Sequence, residues 1–538
     1  MLKSTRSGKM LGKEAIIEFF RQKKIAHIFH LPGIHTLPLN QGLERSGITV
    51  FLGRHESNCA FMADGYARVS GRIGVVVVTP GPGLGNVVAP CMEAYGDGVP
   101  LLILHIDSDP RRWGRGVLHE IVDSESIFTP FTKATLSVRR AGDLPPLLEK
   151  AYTTATTERC GPVVISVPHT LLEKQIPVNL PEIVAGETLP EVPIHDSSGL
   201  KKALQGKSRP VIIGGRALLR SGLSRQIESL CGEASIPLLT TTSGKGLVSE
   251  DLPFVFGNVM APGISRSILS RADVVIAMGT RLRETDIKTR GVKIESLIHI
   301  DVDDGWMGRN HPTDLKIACP DLSSVIEDLA QIFKNRKSEW SLEALKVEQA
   351  KEHEDFRTSP GYIITTLLRS VIPAGATTVW DLTLISYWAE YYFPVCRGES
   401  FVTPRGSSPT FYAVPAAIGA TIARPDQPCL CVTGDGSCLP GLSELATVKK
   451  CNIPVVFLVY NNNSYGVLDE YMAKRCGLEG VMNLSNPDFV KLAQAFNIKA
   501  LRTQTIDELR RVLREEITWQ EPFVIEFDFP ILPPPWRI

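Results

Sequence analysis

The sequence predicts an α/β protein of three consecutive domains, each a parallel sheet flanked by helices. Short apolar runs bounded by Gly and Pro recur along the whole chain, with helical stretches between them: Gly74–Val78, Leu101–Ile106, Val163–Val167, Pro210–Ile213, Asp273–Met278, Leu297–Ile300, Leu430–Val432 and Val455–Tyr460. Strands buried on both faces of a parallel sheet read this way. Two linkers divide the pattern. Pro168–Asp196 is rich in Pro, Val and Glu, and the charged stretch Lys334–Asp355 reads as an exposed helix or tether. At roughly 100–200 residues per domain, a chain of 538 residues holds about three. The expected domains are 1–180, 190–335 and 355–538.

Charge and composition exclude several classes. Lys+Arg and Asp+Glu both total 58, so nothing overall attracts nucleic acid or an anionic membrane. Apolar runs such as Val75–Val78 and Pro454–Tyr460 are strand-sized, far short of a membrane span. Lys3, Arg6, Lys9 and Lys13 make a basic start with no apolar signal core behind it, and read as a frayed terminus. Eleven cysteines lie between Cys59 and Cys476 without a CxxC pair, a usage suited to a reducing cytoplasm.

The strongest local signal is Gly434-Asp435-Gly436 followed, after residues 437–460, by Asn461-Asn462-Asn463-Ser464-Tyr465-Gly466. Cys429–Thr433 reads as a strand ending at the Gly-Asp-Gly turn, Pro440–Lys450 as a helix, and Pro454–Tyr460 as a strand ending at the Asn run. In this βαβ unit a right-handed crossover brings both strand ends to one sheet edge, where ligands bind. Asp435 and Asn462 converge there. A carboxylate, an amide oxygen and a backbone carbonyl leave about three octahedral positions for the phosphate and water oxygens that Mg²⁺ prefers. The glycines admit a close phosphate, and the helix N-terminus adds partial positive charge.

Gly434–Gly466 resembles the diphosphate motif of thiamine diphosphate enzymes, and the chain over nearly its full length is similar to the acetolactate synthase and 2-oxo acid decarboxylase superfamily. The resemblance implies pyrimidine-binding and diphosphate-binding domains around a central Rossmann-like domain. It implies Asp435, Asn462 and the Ser464 carbonyl as metal ligands. It further implies cofactor contacts at Gly434, Gly436, Ser437, Tyr465, Gly466, Val467 and Thr383.

In the first domain, Glu56 within Arg54-His55-Glu56 matches the family's activating glutamate. Its carboxylate would favour the imino form of the cofactor's aminopyrimidine, which removes the thiazolium proton. The loop Thr79–Asn86, with Pro82 and Asn86, resembles the family's glycine-rich cofactor loop. Because Glu56 and Asp435 lie in different domains, the resemblance implies active sites at a subunit interface, in a dimer or a dimer of dimers.

Two loops resemble the family's substrate-facing segments, Leu31–Thr36 and Gly114–Glu120. They place His35 and His119 as proton-transfer groups, a task imidazole performs near neutral pH. Together they look closest to 5-guanidino-2-oxopentanoate decarboxylases, and the first also to cyclohexane-1,2-dione hydrolase and benzaldehyde lyase.

The chain departs from the family in several places. Thr410 occupies the position of the bulky residue that bends the cofactor, Phe411 stands for the usual Gly, and Ser408 stands where a Gly often offers its carbonyl to the aminopyrimidine. Leu384 and Ile385 replace polar neighbours of the diphosphate, and Cys438 and Pro440 replace larger apolar residues. The chain ends soon after Phe523–Phe529, where many relatives add a lid helix. The central domain lacks Gly-x-Gly-x-x-Gly; relatives bind FAD or ADP there or leave it empty, and a structural role is the expectation. The expected activity is decarboxylation of a 2-oxo acid. The alternatives are a carboligase, a diketone-cleaving lyase, or a non-catalytic paralogue that binds the cofactor weakly or serves as a regulatory subunit.

Overall fold

A computed structural model describes residues 9–121, 123–157, 159–177, 197–287, 294–396 and 398–537. Most of the Pro168–Asp196 linker, and the Lys3 and Arg6 of the basic start, fall outside the described residues. The expected α/β class is found, as three six-stranded sheets with helices on their faces.

The first sheet runs Thr49–Leu52, His27–His30, Gly74–Val78, Leu101–Asp107, Pro162–Pro168, Ala134–Ser137, all parallel. In chain order this is 2-1-3-4-6-5. The third runs Phe401–Val402, Thr377–Trp380, Cys429–Gly434, Val455–Asn461, Phe523–Asp528, Lys499–Thr503, again 2-1-3-4-6-5. The two outer sheets therefore share one topology. The central sheet is different: Val255–Asn258, Leu238–Thr240, Pro210–Gly214, Val274–Met278, Leu297–Asp301, Leu315–Ala318, or 3-2-1-4-5-6, the doubly wound dinucleotide-type order. Its switch point lies between Pro210–Gly214 and Val274–Met278. Central strands such as Leu101–Asp107 and Val455–Asn461 are buried at every position, which is why they read as unbroken apolar runs.

Equivalent helices join the two outer domains. Glu56–Ser70 follows the second strand of the first sheet, and Ala413–Ala423 the second strand of the third. A Cβ on Gly65 would overlap the Ala416 carbonyl, and one on Gly419 the Met62 carbonyl, so the backbones touch at these glycines. Ala413–Ala423 is apolar on all sides because it is buried on all sides. Beside this contact Arg68, buried, pairs with Asp64, Glu93 and Asp97.

The stretch after the Gly-Asp-Gly turn differs from expectation. Instead of one helix over Pro440–Lys450 there are two, Asp435–Leu442 and Leu445–Cys451. The first starts at Asp435 itself. At the break Glu444 turns its carboxylate to the Arg54 N–H at 2.7 Å and the Asn58 amide at 3.1 Å, contacts with another domain that local periodicity does not report. The charged stretch before the third domain does form a helix, Leu342–Asp355.

Candidate active site

The strand Cys429–Gly434 ends in the fully buried heart of the third sheet, and its next residue, Asp435, opens a helix. The neighbouring strand ends at Asn461, and after the turn Asn462–Tyr465 the helix Gly466–Cys476 begins. A third helix, Leu384–Tyr392, starts beside them with Thr383 as its N-cap, its hydroxyl accepting from the Ser386 N–H. These N-termini crowd together at glycines. A Cβ on Gly434 would lie 2.9 Å from the Thr383 methyl, one on Gly436 2.6 Å from the Tyr465 ring, and one on Gly466 3.3 Å from Leu384. Three helix N-termini meeting over a glycine cradle form a site for a multiply charged anion. Val467, on the first turn of Gly466–Cys476, packs on the core beneath.

Asp435 is 3% exposed. Burial holds its carboxyl above the ordinary carboxylate value, against hydrogen bonds from Asn486 and from the N–H groups of Gly436, Asn463 and Ser464. The Asn486 amide donates to Asp435 Oδ2 at 2.8 Å, Asn461 Oδ1 at 3.1 Å and Asn463 Oδ1 at 3.3 Å. Asn462 Oδ1 accepts from the Ser464 N–H at 3.1 Å. Asp435 and the 462–464 turn therefore share one neighbourhood, as the spacing predicts. A buried carboxylate with a raised pKa, sharing the Asn486 amide with the side-chain oxygens of Asn461 and Asn463, fits a hard divalent cation, whose charge would offset that cost.

Ser437 lies one turn into the helix. Its hydroxyl donates to Asp381 Oδ2 at 2.8 Å and accepts from the Phe411 N–H at 2.8 Å. Asp381, fully buried, also accepts from the Thr433 hydroxyl and from the N–H groups of Tyr412 and Ala413, tying the sheet edge to the Ser408–Phe411 loop. Ser408 and Phe411 both have positive φ, 59° and 56°, where an L side chain is strained. These are two of the positions where the sequence replaces glycine. Thr410, between them, is exposed.

The first domain supplies the other edge. Glu56 is the first residue of the helix Glu56–Ser70, 7% exposed, and its Oε2 accepts from Asn86 Nδ2 at 2.9 Å. Its neighbour His55 acts as that helix's N-cap, accepting from the Ser57 N–H. Pro82 opens the short helix Pro82–Gly85 and is exposed; Asn86 closes it. Gly81 has φ 63°, and a Cβ there would lie 2.9 Å from the His119 backbone, so only glycine lets the two loops meet. Glu120 holds the His119 loop by accepting from the N–H groups of Gly114, Gly116 and Val117.

His35 and His119, distant in sequence, lie with ring centroids 6.0 Å apart. A third imidazole, His169, stands 5.1 Å from His35. Burial first, then the neighbouring His169 and His119, holds the His35 pKa below the ordinary imidazole value.

Four of these groups were not singled out in the sequence. His169 directly follows the strand Pro162–Pro168, and its place at the carboxyl end of a parallel strand is a readable signal. Asp381 likewise follows the strand Thr377–Trp380. Asn486 and Glu93 act through tertiary contacts and carry no local signal.

The central domain holds a cavity of about 790 Å³ by its switch point, bounded there by Arg216, Ala217 and Gly279, and against the first domain. Arg159, Arg216, Arg281 and Arg283 line it, with Asp97 and Asp301. Arg216 Nε is buried without a partner, and burial with crowding by Arg159 and Arg283 pushes Arg281 down to about 10.

Comparison with known proteins agrees with this geometry. Three thiamine pyrophosphate enzyme family models match: the N-terminal TPP binding domain over residues 10–127, the central domain over 198–329 and the C-terminal TPP binding domain over 381–527. A probable acetolactate synthase large subunit of Methanococcus aeolicus is 30% identical over 96% of this chain and 92% of its own. A probable 2-ketoarginine decarboxylase of Pseudomonas aeruginosa is 31% identical over 93% and 91%, and acetolactate synthase isozyme 3 large subunit of Escherichia coli 26% over 94% and 92%.

Proposed function

The chain belongs to the thiamine pyrophosphate enzyme family, and we propose that it is the decarboxylase of a 2-oxo acid, dependent on thiamine diphosphate and a divalent metal such as Mg²⁺. The cofactor, when bound, supplies a carbon nucleophile that adds to a carbonyl and stores the electron pair released when the adjacent C–C bond breaks. The residues fit it. The cradle of Gly434, Gly436 and Gly466 would take the diphosphate, with Thr383 beside it. Asp435, Asn462 and the Ser464 carbonyl would hold the metal, and Asn486 would orient Asp435. Glu56, oriented by Asn86, would hydrogen-bond the aminopyrimidine.

The observation that carries decarboxylation over carboligation is the group of imidazoles at the first domain's carboxyl edge. Decarboxylation ends by protonating carbon, and His35 and His119 would donate hydrogen bonds and relay solvent protons at that edge. Carboligation is the second reading, favoured by the acetolactate synthases among the relatives. A panel of 2-oxo acids, with and without acceptor aldehydes, separates the two by product mass spectrometry. Aldehyde with one equivalent of carbon dioxide supports the decarboxylase; a coupled hydroxyketone as main product overturns it in favour of the carboligase.

Exposed apolar side chains support a dimer with shared sites. Ile34, Leu37 and Leu118 surround the histidines, and Tyr465, Leu468, Tyr471, Leu478 and Val481 flank the diphosphate cradle. Faces of this kind on one chain suit the opposite faces of a second. The arginine-lined cavity supports an anionic ligand of the nucleotide class, FAD or ADP, beside the structural role expected from sequence. All eleven cysteines are free thiols, which supports a reducing compartment such as the cytoplasm. No helix among the described residues is long and apolar enough to cross a membrane.

A further inference from the structure

We propose that His169 is the proton acceptor of the substrate edge and His35 its paired hydrogen-bond donor, the two divided by tautomer. The inference rests on the reading that this edge of the first domain faces the substrate. The strand register Asp107 to Pro168 sets His169 over the end of the neighbouring strand, and its Nδ1 lies 3.1 Å from the Asp107 carbonyl oxygen. Only a protonated Nδ1 makes that bond, so in the neutral ring Nε2 carries the lone pair. His35 is the reverse. Its Nδ1 is buried without a partner. An orphaned acceptor is tolerated more often than an orphaned N–H, so the proton resides on Nε2. One ring thus offers a base and its neighbour an N–H donor, with centroids 5.1 Å apart.

The surrounding charges match these roles. From the strand end and the turn after it, the Asp107 and Asp109 carboxylates face His169. Arg139 faces Asp107, and Arg111 pairs with Asp109 at 2.7 Å. From the other loops, His35 and His119 oppose a second positive charge. Beneath them His105 bonds Ser166 at 2.9 Å and is held neutral by burial.

The proton balance over one turnover is simple. The substrate's carbonyl oxygen, hydrogen-bonded by the His35 Nε2–H, takes a proton from solvent as its carbon is attacked. It gives a proton to His169 Nε2 as the product carbonyl re-forms. His169 releases that proton to solvent, and the proton that ends on carbon also comes from solvent.

The test uses the holoenzyme with thiamine diphosphate and Mg²⁺, and the best substrate from a panel including pyruvate and 5-guanidino-2-oxopentanoate. His169→Asn keeps a donor for the Asp107 carbonyl but has no base. It is expected to bind the cofactor as wild type does, to lose about 100-fold in kcat, and to lose the acidic limb of the kcat/KM profile. His169→Ala is expected to recover activity with added imidazole. His35→Ala, which removes the N–H, is expected to lower kcat while leaving the acidic limb in place. Wild-type kcat with an intact acidic limb in His169→Asn overturns the proposal. So does a slow His169→Ala that imidazole leaves unchanged. A wild-type protein that binds no thiamine diphosphate fails at the earlier step, and overturns the functional reading before any variant is made.

Discussion

The Ser408 N–H of the third domain donates to a carboxylate oxygen of Glu93, in the first domain, 3.0 Å away. The same carboxylate accepts from Ser407 at 2.7 Å and Gly406 at 3.0 Å, and takes Arg68 at 2.9 Å. One buried side chain thus holds the loop whose Ser408 carbonyl the family resemblance assigns to the aminopyrimidine. Glu93→Ala leaves Arg68 and three N–H groups without that partner. It is expected to cost about 3–5 kcal/mol in urea unfolding and to raise the Kd for thiamine diphosphate.

Ser408 itself is strained at φ 59°, and its side chain makes only a 3.5 Å contact with the Pro404 carbonyl. Ser408→Gly is expected to stabilise the protein by about 1 kcal/mol, read as a rise in denaturation midpoint at unchanged m-value.

Asn486 supports the proposed metal site from outside the two motifs. Asp435→Asn is expected to abolish Mg²⁺-dependent retention of thiamine diphosphate. Asn486→Ala is expected to weaken it by about 10–100-fold while leaving the fold intact, measured by calorimetric titration with and without Mg²⁺.

His105 is fully buried, and burial, with His35 nearby, lowers its pKa to about 3. The unfolded chain binds that proton near pH 6.5, the folded chain only near pH 3, so stability falls as pH drops between those values. The expected slope is about 1.4 kcal/mol per pH unit from this residue. His105→Gln, which keeps an amide for Ser166, is expected to reduce the slope of unfolding free energy between about pH 6 and pH 4 by one proton.

The central cavity gives a separate prediction. ADP or FAD is expected to raise the thermal midpoint of wild type, and Arg216→Ala to remove the rise, since Arg216 brings a buried, unpartnered donor to the cavity. No shift with either nucleotide would leave the domain its structural role.

The fold was legible because central parallel strands carry their burial in composition: Val75–Val78 and Val455–Tyr460 can be little else. The meeting of Asp435 with the Asn462 turn was legible because the two segments end adjacent strands, so their spacing encodes a distance. His35 and His119 could be named but not paired, since Gly81 and Glu120 set their meeting through loop packing. The break between Leu442 and Leu445 was hidden because its cause, Glu444 reaching Arg54 and Asn58, lies hundreds of residues away in sequence. The shared 2-1-3-4-6-5 order of the outer sheets leaves no periodic trace, because topology is not a property of local sequence.

The most direct test of the central claim is the exchange of the cofactor's thiazolium proton for deuterium in the Mg²⁺-loaded protein, followed by quenched-flow NMR. If Glu56 and the Asp435 cradle are halves of one thiamine diphosphate site, wild type exchanges that proton at least about 100-fold faster than free cofactor, and Glu56→Gln binds the cofactor yet loses the acceleration. Equal exchange in wild type and Glu56→Gln, or no cofactor binding at millimolar concentration, would contradict it.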